Sequence, residues 1–142
     1  MSQVHDNHLI GYDVDGELRR IVLRTGRRDP AGPVHRTDVV FEGVEAYAFR
    51  HDCLDSILFD ICETPLEQAM QAHWSEFDAG HRQSGWPRFW QQDEAKTRDR
   101  IAALAQAGAK WFDLSSSYGI SGWILCRALE YRTRLLEAPP SE

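Results

Sequence analysis

The stretch ILFDICETPLEQAMQAHW, Ile57 to Trp74, changes its hydrophobic period at Pro65, and that change decides the fold class. Before Pro65 the residues alternate as in a strand, with Ile57, Phe59 and Ile61 on one face and Leu58, Asp60 and Cys62 on the other. After it, Leu66, Met70, His73, Trp74 and Phe77 recur at helical spacing and define one apolar stripe. Pro65 suits the first turn of a helix, Thr64 is the candidate N-cap, and Glu67 lies near the positive end of the helix dipole.

Upstream the pattern is strand after strand. His8 to Val14 and Leu18 to Thr25 flank Asp15-Gly16, a two-residue hairpin signal because both positions tolerate positive φ. Gly26, Asp29, Pro30, Gly32 and Pro33 mark a loop. Thr37 to Phe41 and Val44 to Arg50 form a second pair around Glu42-Gly43, and Leu54 to Cys62 is the fifth strand. Five strands with short links predict a meander or a strongly curved sheet.

Downstream, Gly80, Gly85 and Pro87 end the first helix and open a loop carrying Trp86, Phe89 and Trp90. A second helix is expected from Glu94 to Ala107, with Ile101, Leu104 and Ala105 inward and Gly108 as its stop. Lys110 to Ser115 and Gly122 to Arg132 complete the set, and Pro139 and Pro140 belong to a frayed tail. The expectation is an α+β fold: an antiparallel, curved sheet of about seven strands, with two helices inserted before the last two. At 142 residues, 1–142 is read as a single globular domain.

Charge is distributed unevenly. His51 to His81 holds Asp52, Asp55, Asp60, Glu63, Glu67, Glu76 and Asp78 and no Lys or Arg, against a formal net charge of -6 for the whole chain. The remainder is therefore close to neutral. The block is interleaved with Leu54, Ile57, Leu58, Phe59, Ile61, Leu66, Met70, Trp74 and Phe77, so it belongs to a folded core rather than an acidic tail. A net-acidic chain is a poor binder of nucleic acid, which demands Lys and Arg at the phosphates. The local basic group Arg19, Arg20, Arg24, Arg27 and Arg28 is flanked by Asp13, Asp15, Glu17 and Asp29 and reads as a solvated hairpin face. No apolar run approaches the length of a membrane span, and Met1 to His8 lacks the pattern of a signal peptide; a cytoplasmic location is expected.

Catalytic and metal motifs fail one by one. Asp13, Asp15, Gly16 and Glu17 resemble the opening of a calcium loop, but Arg24 stands where the closing Glu belongs. Gly119-Ile120-Ser121-Gly122-Trp123 resembles a nucleophile elbow except that Trp123 replaces its last glycine; a tight bend before the last strand is the better reading. His5 and His8 lie in a segment expected to be mobile, and His73 with Glu76 is only a helical i, i+3 pair without an HExxH motif. No GxGxxG or GxxxxGK is present. Cys53, Cys62 and Cys126 lack CxxC spacing and are read as small buried hydrophobes. No cofactor and no metal site is expected.

Two segments resemble a known group. One is His5-Asp6-Asn7-His8-Leu9-Ile10 followed by the hairpin; the other runs from Thr37 to Phe49, containing Phe41-Glu42-Gly43-Val44, and leads into Ile57-Leu58-Phe59-Asp60-Ile61. They resemble the strand-rich immunity proteins of bacterial polymorphic toxin systems and related small bacterial proteins, over residues 5–63. The resemblance implies a non-enzymatic inhibitor that occludes the active site of a cognate toxin. That group has no shared catalytic motif, so no functional residue is carried over.

The leading expectation is thus a protein-binding surface made of Asp52, Asp55, Asp60, Glu63 and Glu67 with the rings of Trp74, Trp86 and Trp90, facing a basic partner. A second is an enzyme or ligand-binding domain with a pocket between sheet and helices, using His73, Glu76, His81, Tyr118 and Ser121. A third is a homodimer formed through a sheet edge or the Trp-rich loop.

Overall fold

The computed structural model describes residues 3–27 and 34–136. Its elements are β1 (His8–Asp15), β2 (Arg20–Arg27), β3 (Val34–Glu42), β4 (Ala46–Arg50), β5 (Ile57–Thr64), α1 (Leu66–Ala72), α2 (Trp74–Ser84), α3 (Glu94–Gln106), β6 (Lys110–Tyr118), β7 (Ser121–Cys126) and β8 (Ala128–Leu136). The α+β class and the antiparallel sheet are as expected; among the described residues the sheet has eight strands, against about seven expected, and there are three helices rather than two.

The strand order is β4-β7-β6-β5-β1-β2-β3-β8, antiparallel throughout. Its two end strands prolong interior ones. β4 follows β3 across residues 43–45, and β8 follows β7 across Arg127. Glu45 N–H donates to Leu125 O at 2.8 Å and Arg127 N–H to Glu42 O at 2.9 Å, so pairing continues through both joints. The rings of Phe41 on β3 and Phe112 on β6 are consequently 6.1 Å apart, although their strands are four places apart in the order. In a flat sheet that separation is about 19 Å. The sheet is therefore coiled on itself.

The coil's concave face holds the first core, with Ile21, Leu23, Val39, Phe41, Leu58, Phe112, Leu114 and Ile124. The N-terminal segment expected to be mobile contributes Val4 to this core, fully buried. A second core lies on the opposite face. There Trp111, Trp123 and Leu125 of β6 and β7 meet Met70, Phe77, Phe89, Trp90, Ile101 and Leu104 from the helical region. No helix among the described residues is long and apolar enough to cross a membrane.

Several local expectations are corrected. Asp15-Gly16 is not a two-residue turn. Four residues, 16–19, connect β1 to β2; Asp15 Oδ1 accepts from the N–H groups of Glu17 and Leu18, and Arg19 takes the positive φ of 54°. Glu42-Gly43 is a bend within one long strand rather than a hairpin, because β3 pairs with β2 and β8 while β4 pairs with β7. Leu58, not Phe59, joins Ile61 in the core: register shifts around Leu58 and Asp60 add a residue, leaving Phe59 about half exposed at 49%.

The Leu66–Phe77 stripe faces the second core, but its helix breaks at His73, whose ring lies against Phe77 and Trp111. Thr64 does not cap α1; it ends β5, and its hydroxyl donates to Asp113. Gly80 stays inside α2, which ends at Gly85 in the left-handed conformation. β6 runs to Tyr118, and the bend before β7 falls at Gly119-Ile120, with Gly119 and Gly122 both at positive φ. Cys126 alone of the cysteines is buried; Cys53 lies in a loop, and Cys62 lies on the outward face of β5. The Arg28–Pro33 part of the expected loop and the Pro139–Pro140 tail lie outside the described residues.

Candidate binding surface

Between β4 and β5 the chain makes a short loop whose backbone is unusual. His51 (φ 57°) and Asp55 (φ 65°) both occupy the left-handed region, which costs a non-glycine residue on the order of 1 kcal/mol. Such residues persist where surrounding contacts over-determine them. At one end Arg50 Nη2 donates to Glu76 Oε1 at 2.6 Å, fastening the loop's start to α2. In its middle the Tyr12 hydroxyl donates to Asp52 Oδ2 at 2.6 Å. At the other end Ser56, fully buried, donates from Oγ to Cys53 O and accepts from Ile120 N–H, both at 3.1 Å. Its own carbonyl accepts from Leu9 N–H at 2.9 Å.

The loop held in this way presents Leu54 with 89% of its surface exposed, between exposed Asp52 and Asp55. Burying such a side chain against a partner recovers about 2 kcal/mol of hydrophobic free energy. Beside the loop runs an open groove of about 840 Å³, floored by β1 and β2. Gly11 and Gly26 leave room there for the guanidinium groups of Arg24 and Arg36 to lie across the strands. Asp52 and Asp55, and with them Arg27 and Arg36, also line the groove. The Asp52 carboxylate and burial raise the Tyr12 phenol to about 12, the hydrogen bond contributing most.

The sequence-derived surface residues divide into two groups. Asp52 and Asp55 share the loop. Glu63 and Glu67, also exposed, sit at the far end of β5 and the start of α1. The eight residues of β5 separate the two groups by about 25 Å. Asp60 lies between them and folds back onto its own strand, Oδ1 accepting from Ile61 N–H at 2.9 Å and Oδ2 from the Cys62 thiol at 3.0 Å. Glu76 and Asp78 are neutralised by Arg50 and Arg82.

The three tryptophans are also divided. Trp90 is only 1% exposed, and Trp74 packs edge-on against it at 4.5 Å, so both serve the second core. Trp86 keeps 37% of its surface in solvent but lies on the α2–α3 loop.

The expected pocket group converges only in part. His73 Nδ1 lies 3.1 Å from Glu76 Oε2, and Ser121 is opposite Arg50 in the β4–β7 ladder. Tyr118 pairs instead with Ile57 on β5, and His81 lies two turns further along α2. Neither the groove nor a second concavity beside Trp86 is lined by any of the five. Among the described residues no group of three or more His, Cys, Asp or Glu side chains is arranged to hold a metal.

Leu54 is not expected at the surface because Leu54 to Cys62 reads as one strand; Tyr12 does lie in a strand, β1, and nothing local in the sequence shows that its hydroxyl reaches Asp52. For Leu54 a signal was present: Asp52, Asp55 and Ser56 are turn formers, dense enough to break a strand before Ile57. In comparisons with known proteins, no family model matches the chain, and no curated protein or solved structure is significantly similar to it.

Proposed function

We propose that the chain is a non-enzymatic binding protein that docks on a basic protein partner through the His51–Asp55 loop. By the resemblance of residues 5–63, the partner is a toxin domain whose active site the loop occludes. The observation that carries this reading is Leu54: a large apolar side chain, 89% exposed, between two carboxylates on a loop fixed by two left-handed residues. A preorganised loop loses little conformational entropy on binding, and an apolar anchor inside a charged rim is the usual anatomy of an energetic centre. The carboxylates accelerate encounter with a basic surface.

The experiment is co-expression with the product of the adjacent gene, followed by pull-down with the wild-type chain and with Leu54→Ala. Capture by the wild type and its loss in Leu54→Ala support the reading. Equal capture by both removes the loop from it, and no capture by either removes the inhibitor assignment.

A further inference from the structure

A second concavity, of about 330 Å³, lies where the β1–β2 turn, the β3–β4 joint and the α2–α3 loop meet. We propose that it binds a small molecule with a flat apolar body and a single carboxylate. This site is independent of the His51–Asp55 loop.

The lower wall is apolar, from Ile21 and Val44, both buried. Two aromatic side chains, Tyr47 and Trp86, line it with 37% of their surfaces still in solvent. Trp86 is braced rather than free. Its ring meets Phe77 edge-on at 5.4 Å, and its backbone passes so close to Gly80 that a Cβ there would lie 2.7 Å from the Trp86 carbonyl oxygen. Among the described residues β4 pairs only with β7, which leaves its second edge unpaired there.

Five charged residues line the space, and three are already engaged. Arg20 Nε donates to Glu42 Oε1 at 2.9 Å, Glu45 Oε1 lies 3.6 Å from Arg127, and Asp15 Oδ1 holds the turn's backbone N–H groups. Arg19 and Arg88 remain, and among the described residues neither meets a carboxylate. Two uncommitted guanidinium groups beside two partly exposed aromatic rings match a planar anion: the fork donates to the carboxylate, and the rings take the apolar body. Asp15 and Glu45 also line the space and disfavour a multiply charged phosphate through like-charge repulsion.

The test titrates the full, isotope-labelled chain with 2-naphthoate and, separately, with uncharged naphthalene-2-carboxamide, following backbone and indole resonances. The proposal expects the acid to shift Trp86 and Gly85 saturably and to bind at least about tenfold more tightly than the carboxamide. It expects the variant carrying Arg19→Gln and Arg88→Gln to lose that tenfold preference while still binding the carboxamide. Both substituted residues are exposed and unpaired, so an unchanged amide spectrum elsewhere verifies the fold. Equal affinity for acid and amide, shifts confined to other surfaces, or a preference that survives in the double variant would overturn the proposal. None of these results bears on the loop.

Discussion

The Tyr12 hydroxyl donates to Asp52 Oδ2 at 2.6 Å and so ties β1, in the floor of the groove, to the β4–β5 loop beside it. The bond makes the loop's position depend on a strand distant in sequence, which the Leu9–Ser56 backbone bond reinforces. It also has a titration signature.

The Tyr12 phenol is raised from 10.0 to about 12, chiefly by its bond to Asp52. A raised pKa means that the folded state holds the proton more tightly, so this stabilisation is complete below pH 10 and is lost as the pH rises towards 12. Spectrophotometric titration should show a phenol ionising near 12 that is absent in Tyr12→Phe and shifted down in Asp52→Asn. Tyr12→Phe should also cost about 1 kcal/mol in urea unfolding, the typical value of a single hydrogen bond.

Gly122 has φ 152°, and a Cβ there would overlap the Ala48 carbonyl oxygen of the neighbouring strand. Relief would require parting β4 from β7, the pairing on which the joint with β3 depends. Gly122→Ala is expected to destabilise the fold by about 3 kcal/mol or more, read as a lower urea midpoint. Gly16→Ala, where a Cβ meets nothing within 4 Å, serves as the control and should change little.

Two stacked indoles of the second core, Trp111 and Trp123 at 4.3 Å, differ in one atom's fate. Trp111 Nε1 donates to Asp113 Oδ1 at 3.1 Å, whereas Trp123 Nε1 is buried without a partner among the described residues. Replacing either by Phe opens a similar void, but Trp111→Phe also breaks a charge-assisted bond while Trp123→Phe removes an unsatisfied donor. Trp111→Phe is therefore expected to be the more destabilising by about 1–3 kcal/mol in paired unfolding curves.

The cysteines should separate by reactivity. Burial pushes the Cys126 thiol up to about 12, and the hydrogen bond to Asp60 raises that of Cys62. Cys53 is exposed in the loop. Alkylation by iodoacetamide near pH 8, followed by mass spectrometry, should label Cys53 first, Cys62 more slowly and Cys126 only after unfolding.

Much of the fold was legible wherever local rules govern it. The change of period at Pro65, the apolar stripe through Phe77 and the stop at Gly108 each report a constraint between near neighbours in sequence. The coil of the sheet was not legible. It depends on β3 and β7 bending at Gly43 and Arg127 and pairing again beyond the bend, and a Glu-Gly step looks the same in a bend as in a hairpin. The bulge beside Phe59 was hidden for a related reason: one inserted residue exchanges the two faces of a strand, and only its partner strand fixes the count. The acidic block was visible in composition, but β5 divides it, so its charges act at two places rather than one.

The division of the acidic block provides the most direct test, through the salt dependence of association between the chain and the partner captured by co-expression. Asp55→Asn removes a charge at a position whose positive φ asparagine also tolerates, and Asp52→Asn removes the other. Glu63→Gln, about 25 Å away along β5, lies well beyond the roughly 8 Å screening length of physiological salt. The two loop variants should associate more slowly, with a flatter salt dependence, while Glu63→Gln matches the wild type. Association rates unchanged in both loop variants, or reduced equally by Glu63→Gln, would contradict docking through the loop.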